Sequence, residues 1–389
     1  MSEYNYEKKY DVVIIGGGVI GCSIAYHLAR DSKGKLKVAV IERNIVGEEA
    51  SSGAAGMLAA QIEADRPGPF LDLAVHSRGL FGPLARELKD LTGVDVEYAK
   101  GGILSAAFTD ADAAALKERL AWQKSAGLSC DWLTPDKVSA AFPFLKPGSL
   151  GGFWVPEDGQ VSSNRLTAAF AEGAKKLGVE FFENESFDEV RLDGPRLSSV
   201  ETNLSKFVAG NFVFAAGAWT GGLLGAKAPV GPVKGQVLIF RMPEKWREAR
   251  PWVSPVFCGT TPGPGKIHCY FVPKMDGCVW VGATMEDRGM DKSENESATR
   301  EISDYVSGVF PDIASFPYHG CWVGLRPAAP DRLPVIGLVS GSRNVFAAGG
   351  HFRNGILLSP ATGEILSDLI LKGKSDRDLS PFSPDRFPG

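Results

Sequence analysis

Long hydrophobic runs are missing from this chain. No apolar stretch approaches the ~20 residues that cross a bilayer. The polar start Met1-Ser-Glu-Tyr-Asn-Tyr-Glu-Lys-Lys-Tyr10 lacks the apolar core of a secretory signal. Charge of one sign is missing too: 42 Lys and Arg stand against 46 Asp and Glu, a net charge of −4. The basic excess that marks nucleic-acid or anionic-membrane binding is therefore absent, and neither partner is expected. Six cysteines (Cys22, Cys130, Cys258, Cys269, Cys278, Cys321) include no C-x-x-C pair, which argues against a disulfide scaffold. Cys258, His268, Cys269 and Cys278 stand 10, 1 and 9 residues apart, spacings that match no zinc pattern, so no metal is expected. Reduced thiols and the absence of a targeting segment make a cytoplasmic protein the expectation. Repeats and low-complexity tracts are also absent, and only the Asp/Pro/Ser tail from about residue 375 reads as loose.

What is present is ordinary globular material, 389 residues with 44% apolar and 23% charged side chains, enough for a sizeable core. That length suggests about two to three domains. Glycine is abundant, at 46 residues, and its placement carries the information. The β-branched run Asp11-Val-Val-Ile-Ile-Gly16 reads as a buried parallel strand. It enters Gly16-Gly17-Gly18-Val19-Ile20-Gly21, a G-x-G-x-x-G, and a helix follows with Ile20, Ile24 and Leu28 on one face. A second strand, Leu36–Ile41, ends on Glu42, 21 residues after Gly21. This is a complete β-α-β dinucleotide fingerprint. Gly16 makes the tight turn, Gly18 admits the pyrophosphate, Gly21 lets helix and strand pack, and the helix N-terminus faces the phosphates. Glu42, with Arg43 beside it, sits where a carboxylate accepts hydrogen bonds from ribose hydroxyls, which argues against a 2′-phosphate.

Downstream, residues 70–92, 110–126 and 162–177 read as helices, the last closed by Gly178. Strands are expected at 179–183, on both sides of the Asp193-Gly194 turn, and at 212–217, 233–240, 267–273, 278–283 and 344–350. Ser359-Pro360 reads as an N-cap with proline at N1, opening a helix to Leu371 that Gly373 ends.

The fingerprint alone leaves NAD and FAD open. Three further glycine-rich segments favour the longer, two-part cofactor: Ser51-Ser52-Gly53-Ala54-Ala55-Gly56-Met57, Ala215-Ala216-Gly217-Ala218-Trp219, and Ala348-Gly349-Gly350-His351-Phe352-Arg353-Asn354-Gly355, with Ile356 just after it. Each offers small side chains where a bulky ligand can lie against backbone.

The fingerprint, Ser51–Met57, Pro232-Val-Lys-Gly-Gln236, Gly282-Ala-Thr-Met285, Gly324-Leu-Arg-Pro327 and Gly350–Leu358 together resemble the FAD-dependent glycine oxidases of thiamine biosynthesis, within the D-amino-acid oxidase and sarcosine oxidase superfamily. The resemblance covers nearly the whole chain in order. It implies a mixed α/β (α+β) architecture. A discontinuous Rossmann-like FAD-binding domain (1–90, 151–227, 326–389) would carry a substrate domain on an antiparallel sheet (91–150, 228–325). It further implies non-covalent FAD, glycine or another small amino acid as substrate, O₂ as oxidant, and a homo-oligomer, tetramers occurring in the family. Arg326 matches the family's arginine for the substrate carboxylate and Tyr270 the tyrosine that assists it. Met285 lines the pocket, Arg353 sits in the flavin-side loop, and His268 lies near the entrance. A guanidinium fork suits a carboxylate, since two charge-assisted bonds form at once. Two departures stand out: Phe352 replaces a tyrosine common in the family, and Gly324 stands where sarcosine oxidases place their flavin-linking cysteine, with Cys321 nearby.

Overall fold

The structure is a computed structural model that describes residues 7–249, 254–258 and 269–387. The first strands are β1 (Glu7–Ile15), β2 (Val38–Ile41), β3 (Met57–Leu58), β4 (Ile103–Ala107), β5 (Asp131–Leu133), β6 (Gly151–Val155), β7 (Gly159–Gln160), β8 (Glu180–Phe182) and β9 (Phe187–Asp193). They are followed by β10 (Arg196–Thr202), β11 (Lys206–Phe214), β12 (Gly231–Arg241), β13 (Val256–Cys258), β14 (Tyr270–Pro273), β15 (Cys278–Gly282), β16 (Tyr318–Ala328), β17 (Val335–Leu338) and β18 (Val345–Gly349).

One sheet runs β17-β18-β11-β1-β2-β8, with the β9–β10 hairpin attached to β11. Its centre is parallel: β1 pairs with β11 and β2, β2 with β8, and β11 with β18. Val12 and Ile14 face one core while Val13 and Ile15 face another, so the uninterrupted apolar run of β1 is buried on both sides. The helices Val19–Asp31, Ser163–Lys176 and Gly355–Lys372 supply the first of these cores with Ile24, Leu28, Phe170, Leu358 and Ile365.

The second sheet runs β16-β12-β15-β14-β13-β4-β6-β5 and is antiparallel apart from the β13–β4 pair. Its core gathers Phe144, Trp246, Phe271 and Phe310, under Ile302 and Val306 of the helix Glu296–Ser307. β6 belongs to this sheet although it lies past residue 150, and β16 runs three residues past 325. Both therefore cross the domain limits drawn from the sequence. The expected strand at 267–273 is seen from Tyr270; its first residues, with His268, lie outside the described residues.

Two expectations need correction. The last helix begins at Gly355, after a 3-10 turn over Phe352–Asn354, and Pro360 lies inside it. A proline there leaves the Ile356 carbonyl without its helical donor, and the Ser359 hydroxyl donates to that oxygen instead, at 2.9 Å. Ser77 from a neighbouring helix donates to the Leu357 carbonyl and accepts from the Ala361 amide. The Ser-Pro pair is thus a compensated interior proline, not a helix start. The tail is not loose: Phe382 is buried in the first core, and Arg386 donates to both Asp331 oxygens and to the Leu333 carbonyl.

Candidate active site

Two adjoining cavities lie where the sheets meet. The larger, about 370 Å³, is walled by the carboxyl ends of β1, β2, β11 and β18 and by Leu325 and Pro327 of β16. A crevice beyond the carboxyl ends of parallel strands is where a doubly wound sheet receives its ligand. Gly16, Gly18, Val19 and Ile20 form one wall, Glu42, Arg43 and Ser51 a second, and Ala216, Gly217 and Trp219 a third. His351, Phe352, Arg353, Gly355 and Ile356 close it. Gly53, Ala55, Gly56, Met57 and Asn354 face the smaller cavity instead.

Three residues expected at the cofactor line neither cavity. Gly21 presses the helix onto the turn, since a methyl there would run into the Gly16 carbonyl. The Ser52 hydroxyl is spent on the Glu48 and Glu49 carbonyls. Gly350 turns the chain at φ +72° against Ala329.

The walls fit a dinucleotide. Gly16, at φ +111°, brings its backbone against Ala215, where a side chain would overlap the carbonyl. Gly18 caps the helix Val19–Asp31 in extended geometry with no side-chain cap, so the first turn faces the cleft through backbone alone. Ser51 Oγ holds the Val19 amide at 2.9 Å. Glu42 accepts from the Gly17 amide (2.8 Å) and the Asn44 amide (3.0 Å), which aims its carboxylate while leaving lone pairs for a ribose. Arg43 stacks over the Trp219 ring at 3.6 Å and donates to Glu49. His351 is buried against Thr362, and burial alone pushes its pKa down to about 3, so it is neutral at this wall.

The smaller cavity, about 100 Å³, brings together Arg326, Tyr270, Met285 and Arg353. Arg326 points from β16 across β12, whose Gly235 is paired with Gly324 and leaves room for the guanidinium to lie on the strand. Its Nη1 donates to the Thr284 carbonyl at 3.0 Å and the Lys234 carbonyl at 3.5 Å. Among the described residues no carboxylate comes within the 4.0 Å of an ion pair. Burial holds its pKa below the usual value, yet a guanidinium stays charged in a protein. A half-buried cation with no carboxylate partner among the described residues is suited to take one from a ligand. Burial also pushes the Tyr270 hydroxyl up to about 12, which keeps it a donor.

Several residues at this site carry no local sequence signal. Glu63, Trp322, Thr284 and Phe257 line the pocket, and Glu63 accepts from Arg353 Nη2. Buried Asp158 accepts from the Gln61 and Ile62 amides and from Arg78 Nη1, and burial raises its pKa to about 6. The Lys274 ammonium grips the Ala55 and Val161 carbonyls behind the glycine-rich loop, its pKa lowered to about 8 by burial. Cys321 lines neither cavity.

Residues 11–369 match the family described as DAO, FAD dependent oxidoreductase. The chain belongs to that family. As a DAO-family protein it is an FAD-dependent oxidoreductase, and the cleft at the carboxyl ends of β1 and β2 has the residues such a cofactor requires. It is 36% identical to the glycine oxidase of Bacillus licheniformis, over 94% of both chains. It is 35% identical to the bifunctional protein ThiO/ThiG of Synechocystis sp., which covers 97% of this chain and 54% of that protein. The crystal structure of glycine oxidase from Geobacillus kaustophilus superposes with a TM-score of 0.90 at 34% identity, covering 98% of this chain and 100% of that one. Among the described residues no helix is long and apolar enough to cross a membrane, and no group of three or more metal-ligating side chains is positioned to hold an ion.

Proposed function

We propose that this oxidoreductase oxidises glycine, and with it sarcosine and small D-amino acids, to the imino acid while O₂ is reduced to H₂O₂. Iminoacetate so formed would supply the thiazole of thiamine, a reading supported by likeness to glycine oxidases and to ThiO/ThiG. The observation that carries the substrate class is Arg326, a half-buried guanidinium with no carboxylate partner among the described residues, in a cavity of about 100 Å³.

Bound FAD would supply a two-electron acceptor for the hydride of the α-carbon, and O₂ would take those two electrons from it to give H₂O₂. The chain's own residues do the rest. Arg326 receives the substrate carboxylate bidentately, and protonated Tyr270 donates a further hydrogen bond. Met285, Phe257 and Trp322 confine the α-carbon and leave little room for a long side chain. Among the described residues the one carboxylate in the lining, Glu63, is paired with Arg353, and no general base is needed once the amine binds in its neutral form. FAD is held without a covalent bond, since Gly324 carries no thiol and Cys321 is turned away. We further assign the cofactor to a discontinuous domain around the parallel sheet, the substrate to the antiparallel sheet, and the enzyme to the cytoplasm.

The test is the absorbance of the purified yellow protein before and after glycine is added without oxygen, followed by peroxide assay in air. Bleaching with glycine and stoichiometric peroxide is expected. No bleaching by glycine, sarcosine or D-alanine refutes the substrate class, and bleaching without peroxide refutes O₂ as the acceptor.

A further inference from the structure

Among the described residues the smaller cavity holds two guanidinium groups and one carboxylate. Arg353 donates to Glu63, whose side chain is 10% exposed against 30% for its partner. Arg326 has only carbonyl acceptors among the described residues. One positive charge is therefore compensated by the protein and one is left for the ligand. Resting on the reading that the substrate carboxylate meets Arg326, we propose that Glu63 restricts this pocket to monocarboxylates by neutralising Arg353 and repelling a second anionic group.

Glu63 is not free to leave that position. The two residues before it are anchored on both sides: Asp158 accepts the Gln61 and Ile62 amides, and Arg119 Nη1 donates to the Ile62 carbonyl at 2.6 Å. Arg119 is close enough to feel the charges of Glu63, Asp65 and Arg353. A ligand with one carboxylate completes the charge balance. A second carboxylate would approach Glu63 in a confined space, where like charges are screened weakly and their repulsion is strong. Without Glu63, the same second carboxylate would take Glu63's place at Arg353 and form the charge-assisted bond that Glu63 now makes.

The experiment compares malonate with its half-amide, malonamate, which has the same shape and one charge less. Dissociation constants are read from the shift in flavin absorbance of the holoenzyme, and glycine turnover is measured alongside. The wild type should bind malonamate more tightly. In Glu63→Gln the ratio of the two constants should move toward malonate by about ten- to hundredfold, the size of one charged contact. Arg353→Met leaves Glu63 uncompensated and should move the ratio the other way, so it decides the matter alone if Glu63→Gln loses its flavin. An unchanged ratio in a flavin-retaining Glu63→Gln protein, or a shift toward malonate in Arg353→Met, overturns the assignment. A wild type that shows the expected ratios but does not oxidise glycine leaves Glu63's role standing and removes glycine as substrate.

Discussion

Gly235→Ala adds one methyl to an interior strand position and nothing else, yet that methyl would fall on Nη1, Cζ and Nη2 of Arg326, well inside the 3.0 Å that non-bonded carbon atoms respect. Arg326 is a long side chain, so the conflict is relieved by movement of the guanidinium and not of the β12–β16 ladder. Stability should change little, because loss of glycine's excess unfolded-state freedom offsets the displacement by roughly 0.5–1 kcal/mol. The active site is less tolerant. A retreat on the order of 1 Å breaks the alignment of carboxylate and α-carbon, and such misplacement costs about 10²-fold in rate. Arg326→Met sets the floor: losing two charged hydrogen bonds of ~1.5–3 kcal/mol each corresponds to about 10²- to 10⁴-fold in kcat/KM for glycine. The assay is steady-state peroxide release by Gly235→Ala, with thermal unfolding of the same sample. We expect kcat/KM to fall about 10²-fold while Tm stays within about 3 °C. A variant with wild-type Tm and kcat/KM within about twofold of wild type would show that Arg326 does not hold the substrate.

Glu42→Ala removes the acceptor for the Gly17 and Asn44 amides together with the carboxylate facing the cleft. Its FAD dissociation constant, measured by reconstituting apoprotein, should rise about ten- to hundredfold, and an unchanged constant would separate Glu42 from the ribose. Arg78→Met leaves Asp158 buried without its cation and should cost about 3–5 kcal/mol near pH 8 in denaturant unfolding. Because burial already raises Asp158 to about 6, above its unfolded value, the protonated form is favoured in the fold. The stability linked to this group is present at low pH and lost as pH rises through that value, so the penalty of Arg78→Met should shrink between pH 8 and pH 5; a constant penalty contradicts the burial of Asp158 as a charge.

Much of the fold was legible because its signals are local. The apolar run of β1, the glycine turn, the helix after it and Glu42 span one short stretch, and each residue acts on neighbours along the chain. The β9–β10 hairpin followed from Asp193-Gly194 for the same reason. The Ser359-Pro360 reading failed because the local sequence cannot reveal that Ser359 replaces the proline's missing hydrogen bond while a distant Ser77 bridges the Leu357 carbonyl and the Ala361 amide. The tail failed likewise: Phe382 and Arg386 are ordered by a core and by Asp331, far away in sequence.

By itself the sequence determined the glycine turn between β1 and the first helix, with Glu42 beside it, because that backbone geometry is set locally by three glycines and one carboxylate. Family likeness then singled out Arg326 and Tyr270. Only the tertiary structure decided which charges face one another, since Glu63 and Arg353 lie 290 residues apart and no pattern along the chain couples them. An ion pair's strength depends on distance and burial, and both are properties of packed sheets rather than of sequence spacing.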